Sequence, residues 1–155
     1  MAAQPIPEGS AGLIPSLSVE DAARAIEFYK HAFGATELAR MEGPGGMIAH
    51  ARLEINGSPV MLADPFPQSG VRPPTELGAT CVSLFAYVED VDASVQRAVD
   101  AGATVVMPVD DMFWGDRWGM VADPYGHCWE LATHIEDISP EEMEERGREA
   151  MAGMG

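Results

Sequence analysis

The sequence contains an internal repeat, and this repeat constrains the fold more than any other feature. Val19-Glu20-Asp21 precedes a helix-like stretch that ends at Gly34-Ala35-Thr36, and Val88-Glu89-Asp90 precedes a second such stretch that ends at Gly102-Ala103-Thr104. The offset is 69 residues from Val19 to Val88 and 68 residues from Gly34 to Gly102, so the copies match with one deletion. Two matches in the same order indicate a duplicated module.

Each copy predicts the order β-α-β-β-β. Apolar residues recur at helical spacing after Asp21 and after Asp90, each acidic residue suits a helix N-terminus, and a glycine ends each pattern. The Asn56-Gly57 pair between two apolar runs predicts a hairpin. The predicted strands cover about 12–18, 36–42, 47–55 and 59–64 in the first copy, and 80–88, 104–109, 117–122 and 128–134 in the second.

These elements predict one α+β domain over 1–155, built from two βαβββ modules. We expect the modules to form a curved, partly open eight-stranded sheet or barrel with the helices outside. Ser139-Pro140 followed by Glu142 is a capping signal for a C-terminal helix. The expected parts are module one at about 12–65, a linker at 66–78, module two at about 79–135 and the helix at 139–150.

Composition narrows the possible partners and the location. The formal net charge of −16 argues against nucleic acids and anionic membranes, because both attract basic proteins. No apolar run is long enough to span a bilayer, and the first residues lack the pattern of a signal peptide. Two cysteines are too few for a disulfide framework. We therefore expect a cytoplasmic protein with reduced thiols.

Alternation along the strands predicts which side chains line a cleft on the concave face. His50 alternates with apolar neighbours on one strand, and Glu130 does so on the last strand. Trp114 and Trp118 lie in a glycine-containing segment that offers flat apolar surfaces. Aromatic rings with a few polar groups are typical of small-molecule pockets. The candidate ligand-binding residues are His50, Ser83, Phe85, Tyr87, Trp114, Arg117, Trp118 and Glu130.

Several longer motifs resemble the vicinal oxygen chelate superfamily, which includes glyoxalases, bleomycin resistance proteins and extradiol dioxygenases. The similarity is greatest to its PhnB-like branch and extends over about residues 12–146. It implies the paired βαβββ fold, and it does not by itself specify an activity. The motifs are Ile26-Glu27-Phe28-Tyr29-Lys30, Phe33-Gly34-Ala35, Met61-Leu62-Ala63-Asp64, Phe113 to Gly119, Asp123-Pro124-Tyr125-Gly126-His127, Leu131-Ala132-Thr133-His134 and Ser139 to Met143.

The resemblance also implies where a divalent metal would bind. Metal-dependent members place His, Gln or Glu on the first and last strands of each module. The corresponding positions here are about Ile14, near Leu62, Ser83 and Glu130, so Glu130 alone matches. Apolar side chains cannot coordinate a metal. We therefore expect no resident cofactor. A rearranged site with His50, Glu130 and either Asp64 or His134 stays open as an alternative.

The preferred hypothesis is a protein that binds a small organic molecule for sequestration or resistance. The acidic composition favours a cationic or neutral ligand over an anionic one. One alternative is a metal-dependent lyase, isomerase or dioxygenase with a displaced ligand set, so enzymatic activity is left open. Another is a domain whose role is protein interaction. Exposed sheet edges and the C-terminal helix further predict a homodimer.

Overall fold

The computed structural model describes residues 3–154, and their α+β architecture follows the repeat. The chain divides into two units, 1–81 and 82–155. The first contains β1 (Ser16–Ser18), α1 (Ala22–Phe33), β2 (Thr36–Glu42), β3 (Ile48–Ile55), β4 (Ser58–Ala63) and α2 (Pro74–Leu77). The second contains β5 (Ser83–Tyr87), α3 (Val91–Ala101), β6 (Thr104–Asp111), β7 (Asp116–Ala122), β8 (Cys128–His134) and α4 (Pro140–Ala152).

The two units have the same sheet topology. Strand order is β1-β4-β3-β2 in the first unit and β5-β8-β7-β6 in the second. The outer pairs β1–β4 and β5–β8 are parallel, and the remaining neighbours are antiparallel. The first and last strands of each module are therefore hydrogen-bonded neighbours. The α+β class, both βαβββ modules and the C-terminal helix are confirmed.

The single deletion between the copies lies within the helices. Helix α1 has 12 residues and α3 has 11, which accounts for the change of offset from 69 to 68. The turn between β7 and β8 is longer than the turn between β3 and β4, and the offset after it is again 69 residues. As a result, the hydrogen bond from Val19 N–H to Ala63 O has its counterpart in the bond from Val88 N–H to Ala132 O.

Both module helices are capped as the sequence predicts. The Asp21 carboxylate accepts from Arg24 N–H, and the Asp90 carboxylate accepts from Ala93 N–H. The Ser139 hydroxyl accepts from Glu142 N–H at the start of α4. Each cap satisfies a backbone donor that the first helical turn leaves unpaired.

One face of each sheet packs against its own helix. In the first unit, the helix buries Ala25, Ile26 and Tyr29, and the sheet contributes Leu53 and Leu62. In the second unit, the buried side chains include Val91, Val95, Ala98, Val121, Trp129 and Leu131. Burial of these apolar side chains is the main stabilising contribution to each unit.

Three segments differ from the sequence prediction. Strand β1 begins at Ser16, and β5 begins at Ser83, so both are shorter than the apolar runs that predicted them. The linker 66–78 contains a 3-10 turn at Pro67–Ser69 and the short helix α2. Prolines at the first positions of both turns explain this, because a proline ring is compatible with a first helical turn.

Candidate ligand-binding face

The second sheet has one side covered by α3 and one side away from it, and the predicted site residues divide between them. Thr133 identifies the covered side, because its hydroxyl accepts a hydrogen bond from Val91 N–H at the start of α3. Glu130 and His134 alternate with Thr133 on β8 and so lie on the other side. This side is called the open face. It carries Ser83, Phe85, Tyr87, Asp116, Trp118, Glu130, Ala132 and His134.

Glu130 is held in place by two donors from neighbouring strands. The Ser83 hydroxyl donates to Oε1 from β5, and the Trp118 indole Nε1–H donates to Oε2 over 3.1 Å from β7. Trp118 is only 9% exposed. Both carboxylate oxygens are therefore fixed by side chains that the sequence also places at the site.

Asp116 is the second fixed carboxylate of the open face, and it is only 3% exposed. Its Oδ2 accepts from the Tyr87 hydroxyl at 2.9 Å and from Trp114 Nε1–H at 3.1 Å, while its Oδ1 lies 2.8 Å from His134 Nδ1. Three partners satisfy a buried charge that would otherwise be costly. The hydrogen bond to Asp116 also raises the pKa of the Tyr87 phenol.

His134 connects Asp116 to the segment that leads into α4. Its Nε2 lies 2.9 Å from Asp137 Oδ1, so each ring nitrogen contacts a carboxylate. The hydrogen bond to Asp137, followed by the bond to Asp116, raises the pKa of His134 above 6.5. An imidazolium can donate from both nitrogens at once, which explains the direction of the shift.

Two aromatic pairs lie among these polar groups. Phe85 and Tyr87 meet edge to face with ring centroids 5.0 Å apart, and they are 49% and 55% exposed. Trp114 and Trp118 also meet edge to face, with centroids 6.0 Å apart. Large aromatic side chains gain free energy when they leave water. The Phe85 and Tyr87 rings therefore offer an apolar surface of which about half stays exposed.

Arg117 lies on the covered side of the second sheet, because it is between Asp116 and Trp118 on β7. Its Nε and Nη2 bind the Asp92 carboxylate of α3, and its Nη1 binds Asp111. This pairing lowers the pKa of Asp92. The structure therefore does not bring Arg117 to the open face. Asp116 and Arg117 project to opposite sides of β7 and have different partners.

His50 lies on β3 in the first unit and is half-buried. Its neighbour on the same side of β3, Arg52, donates to the Ser10 hydroxyl and to Gly9 O. His50 thus belongs to the first sheet, away from the side that packs on α1. The other predicted site residues all belong to the second unit.

The register decides which residue occupies one position of the metal set implied by the family resemblance. Because Ala63 corresponds to Ala132 by their matched backbone hydrogen bonds, the counterpart of Glu130 is Met61 and not Leu62. Leu62 is 1% exposed and packs on the α1 side. Ile14 precedes β1 and has no place in the sheet.

The donor set at the four corresponding positions does not fit a divalent metal. It comprises an isoleucine, a methionine thioether, the Ser83 hydroxyl and the Glu130 carboxylate, with no imidazole among them. Hard and borderline divalent ions prefer carboxylate and imidazole ligands. Within residues 3–154, no three His, Cys, Asp or Glu side chains cluster as metal ligands.

Asp116 and His134 are on the open face, although neither was among the predicted ligand-binding residues and His134 was considered only as an alternative metal ligand. Strand β7 was expected to begin at 117, which left Asp116 in a turn, and the structure begins the strand at Asp116. One additional strand residue would have placed Asp116 on the same side as Trp118. For His134, the alternation with Glu130 along β8 was the available signal.

The model of the Glyoxalase/Bleomycin resistance protein/Dioxygenase superfamily matches residues 14–131. The chain belongs to this superfamily, as the motifs of the sequence indicated. Protein Rv0887c of Mycobacterium tuberculosis is 50% identical over 135 residues, which are 85% of this chain and 79% of that protein. The putative glyoxylase CFP32 of Mycobacterium bovis is 30% identical over 123 residues, or 77% of this chain and 45% of that protein.

Solved structures show the same fold. TioX from Micromonospora sp. ML1 is 33% identical with a TM-score of 0.63, over 80% of this chain and 100% of that one. A PhnB protein from Bacillus cereus is 20% identical, with a TM-score of 0.60 over 78% of this chain and 98% of that one. The fosfomycin resistance protein FosX from Listeria monocytogenes, solved with Mn(II) and a phosphonic acid, is 21% identical. Its TM-score is 0.61 over 88% of this chain and 97% of that one.

The FosX structure, which shares the fold, thus holds a small molecule and a divalent metal. Among the helices of residues 3–154, none combines the length and the apolar character that crossing a bilayer requires.

Proposed function

We propose that the protein binds a small organic molecule on the open face of its second sheet and acts by sequestration or resistance. The observation that carries this proposal is the half-exposed pair Phe85 and Tyr87 on β5. The pair lies beside two carboxylates, Glu130 and Asp116, that neighbouring side chains already hold in place. Rigid polar groups next to an uncovered aromatic surface are what a small-molecule site requires.

The residues that we propose to contact the ligand are those of the open face. Phe85 and Tyr87 supply the aromatic surface, and Trp114 and Trp118 donate to the carboxylates of the same face. Ser83 and Glu130 supply directional hydrogen bonds. His50 in the first unit stays a further candidate, whereas Arg117 is occupied by Asp92 and Asp111.

A calorimetric titration with quinoline, a flat neutral probe, tests this proposal. We expect quinoline to bind the wild-type protein and Phe85→Ala to weaken binding by about ten- to a hundredfold, because a stacked ring is worth roughly 1–3 kcal/mol. Arg24→Ala, on the exposed surface of α1, is the control and should bind like wild type. Equal binding by Phe85→Ala and wild type would place the ligand elsewhere.

The second candidate is a metal-dependent lyase, isomerase or dioxygenase with a displaced ligand set. Glu130 is the one residue at a corresponding position that supports it, and His50 with either Asp64 or His134 would complete the displaced set. We expect purified protein to hold well under one equivalent of Zn, Ni, Fe or Mn in elemental analysis. A stoichiometric metal that disappears in Glu130→Ala would favour the enzyme.

We also propose a cytoplasmic homodimer. Cys81 and Cys128 are both free thiols, as a reducing compartment would maintain them. The edge strand β6 exposes nearly half of Val105, Val106 and Met107. An apolar sheet edge of this kind supports pairing with a second copy.

A further inference from the structure

We propose that the open face selects organic cations, specifically flat aromatic rings that carry a positive nitrogen. This inference rests on the proposed function, because it names the ligand class of the same face. It goes further in requiring a positive charge on the ligand. Two independent features of the second sheet carry it, the distribution of charge and the position of the exposed rings.

The open face carries a negative charge, and no Lys or Arg of the second sheet compensates for it. The four strands of the second sheet contain one such residue, Arg117, which binds Asp92 and Asp111 on the covered side. Among residues 3–154, the partners that donate to Glu130 are the neutral Ser83 and Trp118 groups, so none of them neutralises its charge. Asp110 on β6, the register partner of Trp118, adds a further carboxylate to the same side.

His134 does not reverse this balance. Its imidazole lies between Asp116 and Asp137, so one positive ring is matched by two carboxylates. That group of three keeps a net negative charge when the ring is protonated. An anionic ligand would therefore meet like charges on this face, and the cost of such contacts opposes binding.

The exposed rings lie where a cation beside Glu130 would need them. Phe85 is the register partner of Glu130 in the parallel β5–β8 pair, so ring and carboxylate project side by side. Tyr87 continues the aromatic surface, with its centroid 5.0 Å from that of Phe85. A cation over an aromatic face is attracted by the ring quadrupole, and Glu130 adds a Coulombic attraction.

Three quinoline derivatives of nearly equal shape separate charge from stacking. The probes are 1-methylquinolinium as the cation, quinoline as the neutral compound at neutral pH, and quinoline-4-carboxylate as the anion. We expect isothermal titration calorimetry to give the cation an affinity about tenfold or more above that of quinoline. The anion should bind more weakly than either.

Glu130→Gln is the informative variant, because glutamine keeps the shape. Its carbonyl oxygen can accept from Trp118 Nε1–H, and its amide N–H can donate to the Ser83 hydroxyl. It should reduce the preference for 1-methylquinolinium over quinoline to nearly onefold, because the affinity for the cation falls more than the affinity for quinoline. Asp100→Asn is the matched control. It removes one negative charge from α3, on the covered side of the sheet, and should preserve the preference.

The possible results distinguish the two proposals. Equal affinity for quinoline and 1-methylquinolinium, with both weakened by Phe85→Ala, would overturn the selection of cations and leave the proposed function intact. A preference that Asp100→Asn reduces as much as Glu130→Gln would also overturn it, because attraction by the overall charge would then suffice. Absence of binding by all three probes would contradict both proposals.

Discussion

Asp64 and Thr133 occupy equivalent positions at the ends of the two modules, and each caps the helix of its own module. Asp64 Oδ1 accepts from Ala22 N–H at 3.0 Å, and Thr133 Oγ1 accepts from Val91 N–H at 2.9 Å. Different side chains thus serve the same helix start. The relationship explains how the last strand of each module fixes its helix on the sheet.

Asp64→Ala should destabilise the first unit more than Thr133→Val, at the equivalent position, destabilises the second unit. Asp64 also accepts from Ile48 N–H, so Asp64→Ala leaves two backbone donors unpaired. We expect the free energy of unfolding to fall by about 1–3 kcal/mol, and by about 1 kcal/mol for Thr133→Val. Urea denaturation measures both. A smaller loss for Asp64→Ala than for Thr133→Val would contradict the assignment.

Asp116→Ala should lower stability because it removes the acceptor shared by Tyr87, Trp114 and His134. Unpaired buried polar groups cost about 1–3 kcal/mol, which sets the expected loss in urea denaturation. Asp100→Ala, which removes an exposed carboxylate from α3, is the control and should change stability by less than about 0.5 kcal/mol. Similar losses in both variants would show that the Asp116 contacts contribute little.

His134 should make stability depend on pH in a defined window. The folded pKa is raised above the ordinary value of 6.5, so the stabilising contribution is fully present below that pH. It is lost as the pH rises through the raised pKa. Titration of the histidine ring signals by NMR should show a lower pKa for His134 in Asp137→Asn, because Asp137 is the largest cause of the shift. An unchanged pKa in that variant would rule out this cause.

Assembly can be tested at the exposed edge of β6. We expect light scattering at micromolar concentration to give about 33 kDa, the mass of two copies. Val106→Lys should shift the mass toward the 16.6 kDa of one chain, because a charged residue on a sheet edge opposes pairing. Leu77→Lys, at an exposed position of α2, is the control and should keep the dimer. A wild-type mass near that of one chain would refute the dimer.

Most of the fold could be predicted because the duplication makes each module confirm the other. The tripeptides at Val19 and Val88 fixed the order of elements, and the caps at Asp21, Asp90 and Ser139 are local signals that the structure follows. Alternation on β5 and β8 correctly separated Ser83, Phe85, Tyr87 and Glu130 from the covered side. Such local patterns are short-range consequences of backbone geometry.

The rest of the site depends on contacts between distant residues, which local patterns do not encode. Arg117 was expected at the ligand because it adjoins Trp118, yet the partner that determines its direction is Asp92 on α3. The pairing of Asp116 with His134 joins residues 18 positions apart across β7 and β8. The position that the resemblance placed near Leu62 falls on Met61, and only the register could decide between them, because a shift of one residue reverses the face of a strand residue.

The three tryptophan indoles provide the most direct test of ligand binding on the open face. Trp114 and Trp118 donate to Asp116 and Glu130 there, whereas Trp129 donates to Asp123 on the covered side. In an NMR titration with 1-methylquinolinium, we predict that the indole N–H signals of Trp114 and Trp118 shift and that of Trp129 stays in place. Shifts confined to Trp129, or equal shifts in all three signals, would contradict the account.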